Sequence, residues 1–259
     1  MKLMVNHQTH YRYSEVARNS VQSIKMMPQS SRHQSIENWH ISVPGQYSCQ
    51  RDAFNNLWIT ATQRHDYRYL TIMAQGVVDL HATELGYVET DISPMIFLQR
   101  TAMTCCDLTM SDFAHSIVTV KDRQHLIVLS EKILEQVPYQ PESTSVTTSA
   151  IDAFYAGQGV CQDHAHILIA MCRALQLPAR YVSGYIYDEN QPHLASHAWA
   201  GIFVDNEWYC FDVSNQIFTP QNHIYVAVGR DYLDVAPVRG IREQGGVESM
   251  MSVVQVLAC

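Results

Sequence analysis

The chain has no C-x-x-C pair, no block of lysines and arginines, and no apolar run of transmembrane length. Each lack closes off a class. Its seven cysteines (49, 105, 106, 161, 172, 210 and 259) are odd in number and irregularly spaced, which suggests neither a disulfide framework nor a zinc ribbon. Most are expected to be small buried hydrophobes, Cys172 and Cys210 among them. With 17 basic against 25 acidic residues the net charge is −8, which argues against nucleic acid as a partner. No D-x-[DN]-x-[DN]-G loop is present, so calcium has no support and no cofactor is expected. The N-terminus turns polar by Asn6-His7-Gln8, too early for a secretion signal. The expectation is a cytoplasmic protein with no membrane attachment. An apolar fraction of 47% over 259 residues allows two domains or one large one with a substantial core.

Residues 1–100 read as strands. Thr9–Tyr13, Val21–Met26, Trp39–Val43, Leu57–Ala61, Tyr67–Met73 and Val77–Leu80 alternate or carry β-branched and aromatic residues between turn signals such as Pro44-Gly45 and Asp52–Asn56. An all-β, sandwich-like N-terminal domain is expected there, its scattered histidines (7, 10, 33, 40, 65 and 81) surface or structural residues rather than ligands. From 101 to 259 the character changes to an α+β core. Asp122–Val137 carries a helical apolar stripe, and Thr147 and Thr148 can cap a short helix over Ala150–Ala156, closed by Gly157. Strands follow at Arg180–Tyr187, His197–Val204, Glu207–Val213, Ile224–Val228 and Ser252–Leu257, with a loop at residues 188–192.

One stretch carries chemistry. Gly157-Gln158-Gly159-Val160-Cys161-Gln162-Asp163 runs into apolar residues at helical spacing, Ile167, Leu168, Met171 and Leu175. Cys161 thus sits in the first turn of a buried helix, where unpaired N–H groups and the macrodipole favour a thiolate. The glycines would let a substrate approach the sulfur.

Its base can be found by register. Asp205-Asn206 fits a two-residue hairpin turn, which pairs Val204 with Glu207 and places Trp199 opposite Asp212. His197 and Asp212 are then diagonal neighbours on one face, roughly 7–8 Å apart at the backbone. Cys161 as nucleophile, His197 as base and Asp212 as its orienter would form an acyl-transfer triad. The Cys161 backbone N–H is a natural oxyanion donor, and Trp199 could shield the pair from water.

Gly159–Asp163, Pro178–Tyr185, Ser196-His197-Ala198-Trp199 and Phe211-Asp212 resemble the bacterial transglutaminase-like proteins, a group also described as cysteine proteases. His10–Tyr13 with Asp52–Asn56 is similar to that family's N-terminal β-rich region, and Val228–Pro237 to its C-terminal segment. The resemblance implies a papain-like core with Cys161, His197 and Asp212 in the three roles. The chain departs from the pattern at His164, where an aromatic residue is usual, and at Val213-Ser214, where Pro-Thr is.

The favoured activity is thiol-dependent acyl transfer on a peptide, protein or small amide, ending in hydrolysis more readily than in cross-linking. Metal-assisted hydrolysis through Cys161, His164 and His166, or through His193 and His197, is disfavoured: the first three share no helical face, and Pro192 breaks a helix before His193. A third reading is a non-enzymatic module that binds peptide or protein on the same scaffold.

Overall fold

A computed structural model describes residues 1–85, 92–190, 193–194 and 196–259, with backbone alone for 193 and 194. The N-terminal region is one curled, eight-stranded sheet built around β1 (Lys2–Ile24). Leu3, Val5, His7 and Thr9 turn inward in strict alternation, as the pleat requires. Two irregularities, between Arg12 and Ala17 and between Arg18 and Val21, let this long strand bend and serve different partners at its two ends. Along one edge lie β4 (Leu57–Gln63) and β5 (Tyr67–Leu80), which pair in turn with β3 (Gln46–Arg51) and β2 (Gln34–Ser42).

The α+β core follows. Helices α1 (Leu108–Ile117), α2 (Arg123–Gln136), α3 (Ala150–Ala156) and α4 (Cys161–Ala174) pack on a second sheet. That sheet comprises β6 (Ala179–Ile186), β8 (His197–Val204), β9 (Glu207–Phe211) and β10 (His223–Gly229), ordered β10-β6-β8-β9 with every pair antiparallel. This is the α+β arrangement expected. The cap of α3 differs: Ser149, not Thr147 or Thr148, accepts from Asp152 N, because Asp152 reaches back to Ser149 and completes a capping box. Gly157 ends α3 at φ +63°, so its freedom serves the helix terminus rather than substrate approach.

The chain then returns. After α5 (Tyr232–Val235), β11 (Val238–Gln244) and β12 (Glu248–Ala258) run antiparallel to β1 from Val238 opposite Ile24 to Ala258 opposite Leu3. The two-residue β7 (His193–Leu194) pairs with β12 at Val254 and Gln255. A boundary at residue 100 therefore separates the first hundred residues from strands that complete their sheet. The tail belongs with β1 because β1 has a second edge to satisfy.

The two sheets are tied by amide side chains. Gln34 accepts from Tyr225 N and donates to Tyr225 O, and Asn56 does the same at Val228 N and O, all at 2.8–2.9 Å. Together they act as a substitute strand along the free edge of β10. Asp52 fixes the turn that presents Asn56, accepting from Phe54 N, Asn56 N and Asn56 Nδ2 and pairing with Lys25. Among the described residues no helix is long and apolar enough to cross a membrane.

Candidate active site

The site is assembled at the start of α4, a helix buried on all sides from Gln162 to Arg173. Such a helix is held by apolar contact all round plus satisfaction of its few polar groups. At its C-terminal end Arg173 donates to the carbonyls of Phe97, Ala179 and Arg230 and to the Thr104 hydroxyl, and burial lowers its pKa to about 10. At its N-terminal end the N-cap is Val160, which has no hydroxyl to give. Asp163 compensates, accepting from Val160 N at 2.8 Å and from Thr144 Oγ1 at 2.6 Å. Gly159 is needed here because a Cβ would lie 2.9 Å from Asp163 Cβ. Gly159 N and O bond to Pro138 O and Gln140 N, which brings Tyr139 alongside. Cys161 is then the first helical residue, half-buried, its backbone N–H among those a helix leaves without an internal partner.

The hairpin register is as the sequence requires. Val204 pairs with Glu207 and Ala200 with Phe211, and Asp205 and Asn206 both have positive φ, 51° and 67°, as a type I′ turn demands. His197 Nε2 donates to Asp212 Oδ2 at 2.7 Å, and the Cys161 side chain lies near enough to the ring to favour its charged form. Cys161, His197 and Asp212 are thus brought together. Burial disfavours charge on His197, but Asp212 and Cys161 outweigh it and raise the imidazole to about 10. Asp212, fully buried, is held well below the usual carboxylate range against the opposing cost of its burial, by His197 first and then by a second histidine, His223. Trp199 is 1% exposed and stacked on His197 with ring centroids 5.8 Å apart, so it does screen the pair from water.

Three residues at the site were not foreseen. Asn215 donates from Nδ2 to Asp212 Oδ2 (2.8 Å) and from its backbone N to Oδ1 (3.2 Å). His223 Nε2 lies 3.0 Å from Oδ2. Tyr139 flanks Cys161, whose charge adds to burial in raising the phenol. The Tyr139 and Asn215 loops carry no periodicity to read, and His223 enters from β10, with β6 and β8 lying between it and β9. A cleft of about 780 Å³ opens beside these groups, lined by Tyr139, Tyr187, Asp188, His197, Ser214 and Asn215.

His164 packs rather than lining the cleft: it is buried, bridging Val137 O (2.7 Å) and Ser214 Oγ (2.8 Å). His166 is buried against Tyr181, accepts from Tyr232 N, and burial drops its pKa to about 3. Neither histidine faces the Cys161 sulfur, and the His193 side chain and Pro192 lie outside the described residues. The histidine–carboxylate cluster that does form, His197, Asp212 and His223, is already committed to its own hydrogen bonds. Of the seven cysteines only Cys172 and Cys210 are buried; Cys49, Cys105 and Cys259 are exposed, since each lies on an outer strand, a loop or the terminus.

Residues 113–213 match the model of the transglutaminase-like superfamily, and residues 3–79 match that of the bacterial transglutaminase-like N-terminal region. The chain belongs to the transglutaminase-like superfamily. Among similar proteins, an uncharacterized protein of Mycobacterium leprae is 28% identical over 277 residues, covering 98% of each chain. An uncharacterized protein of Mycobacterium bovis is 28% identical over 284 residues, 96% of this chain and 90% of that one. A provisionally assigned cysteine protease from Cytophaga hutchinsonii has a similar solved structure, with TM-score 0.79 and 22% identity over 99% of this chain and 90% of that one. That last likeness shows that the transglutaminase-like fold extends over both sheets.

Proposed function

We propose that this transglutaminase-like protein is a thiol-dependent acyl-transfer enzyme acting on a peptide, protein or small amide, with Cys161 as nucleophile, His197 as base and Asp212 as its orienter. The observation that carries the reading is the 2.7 Å bond from His197 Nε2 to a fully buried Asp212, with the Cys161 side chain near enough to favour the charged imidazole. Cys161 would pass its proton to His197 Nδ1 and attack the amide carbonyl carbon. A C–S bond forms, the oxyanion is met by the Cys161 N–H, and the C–N bond breaks as the imidazolium protonates the departing amine. Water then attacks the thioester while His197 takes its proton, and the C–S bond breaks to release the acid and the thiolate.

One observation favours an amine as a second acceptor. Asp188 and Glu189 put two carboxylates on the cleft wall that also carries His197, where they would attract a cationic group. The test is amide turnover by wild type and Cys161→Ala, with ammonia or amine release followed in the presence and absence of a primary amine. Turnover that survives Cys161→Ala ends the proposal, and product partitioning assigns the acceptor.

A further inference from the structure

His223 is a buried polar group that the acyl-transfer chemistry does not use. It is fully buried, opens β10, and points Nε2 at the same Asp212 oxygen that receives His197. Its ring lies 6.1 Å from that of His197 and edge-on to Trp199 at 4.6 Å. The tautomer follows from the partners. Ionised Asp212 offers only acceptors, so Nε2 must carry the proton. Nδ1 is buried with no partner among the described residues, so a second proton there would leave an orphaned N–H and an extra positive charge beside His197.

We propose that His223 is a positioning residue: a neutral histidine, permanently protonated on Nε2, that holds Asp212 Oδ2 in line with His197 and so supports the Cys161–His197 ion pair. This rests on the triad reading above. Among the described residues Oδ2 receives His197, His223 and Asn215 Nδ2, whereas Oδ1 receives only the Asn215 backbone N–H. Rotation of the carboxylate about its Cβ–Cγ bond would break the Oδ2 set together, and His223 is the one donor of the three that comes from outside the β8–β9 hairpin and its following turn. Burial lowers the pKa of His223, in keeping with a ring that stays neutral. The titratable groups that face it are Asp212 and His197; its other ring neighbour, Trp199, does not titrate.

The experiment is iodoacetamide alkylation of Cys161 against pH, read site by site by mass spectrometry, in wild type, His223→Leu, His223→Gln and His197→Ala. Buried Cys172 and Cys210 report folding in the same digest, since they label only if the chain opens. His223→Leu should slow Cys161 labelling at pH 6 by roughly ten- to a hundredfold. His223→Gln, which returns an N–H near Nε2, should stay within about threefold of wild type. Equal profiles for Leu and wild type, or equal losses in Leu and Gln, overturn the positioning role. If wild type labels no faster than His197→Ala, the triad reading fails first and this one with it. Should His223→Leu not fold, ¹⁵N spectra of the wild type decide: Nε2 protonated and Nδ1 bare from pH 5 to 8 supports the proposal, and a doubly protonated ring refutes it.

Discussion

Replacing Asp212 by asparagine is the sharpest test of how the site is held. The carboxylate receives four donors: His197, His223 and Asn215 Nδ2 on Oδ2, and Asn215 N on Oδ1. An amide oxygen in place of Oδ2 could keep the first three, but its NH2 would then point at the Asn215 backbone N–H. The reversed amide would point NH2 at three donors. Either way a hydrogen bond is lost and the charge opposite His197 disappears. Removing one partner of a buried, hydrogen-bonded charge pair costs about 3–5 kcal/mol. His197 would instead give up its proton and return from about 10 toward its ordinary 6.5. The stabilisation of Asp212 is complete above its ordinary carboxylate pKa of 3.8 and is lost as pH falls below it; that of His197 is complete below 6.5 and is lost as pH rises through about 10. The two describe one interaction, counted once, and its full strength lies between about pH 4.5 and 6. Urea unfolding at pH 6 should therefore show Asp212→Asn less stable by about 2–4 kcal/mol, a difference that shrinks as pH rises from about 6.5 toward 10. Cys161 alkylation at pH 6 should slow in the same variant, because the charged imidazole that favours the thiolate is lost. Unchanged stability at pH 6 together with an unchanged alkylation profile would refute the reasoning.

Four buried histidines act in the opposite sense. Burial lowers His7 to about 4 and His166 to about 3, and lowers His164 and His223 as well. Below 6.5 the unfolded chain binds protons that the native state refuses, so stability should fall as pH drops from 6.5 toward 4, by up to about 1.4 kcal/mol per pH unit for each. Urea midpoints across that range check the slope, and His7→Gln should remove about one proton from it. Arg173→Met should cost about 3–5 kcal/mol in urea unfolding, since it strips donors from the buried carbonyls of Phe97, Ala179 and Arg230; a loss below 1 kcal/mol would mean that water replaces it. Gly157→Ala should lower stability by about 1 kcal/mol with Cys161 alkylation unchanged, because the strain is confined to the αL end of α3 and a Cβ there meets only Gln136 O at 3.8 Å. A slowed alkylation would show instead that the turn from Gly157 to Val160 transmits strain to the nucleophile.

What could be read from the chain alone was local or periodic. The helix beginning at Cys161 follows from apolar spacing, and the facing of His197 and Asp212 follows from a two-residue turn, because a hairpin fixes register by counting. The α+β class followed from the order of helical and strand patterns. The placement of His164 could not be read, because spacing along α4 does not say which neighbour a buried helix presents to each side. Asn215 and Tyr139 stand in segments with no repeat, and their positions depend on the bridges from Asp212 to Ile217 and from Tyr139 to Gly159. The return of residues 238–258 to β1 has an even plainer cause. A strand's pattern states that it needs a partner, never which partner at a separation of more than two hundred residues. By itself the sequence determined the helix that begins at Cys161, the hairpin and the diagonal pair, all consequences of backbone geometry over a few residues. Tertiary structure alone decided that His223 would cross from β10 to share Asp212, since only packing of the second sheet brings those two side chains to 3.0 Å.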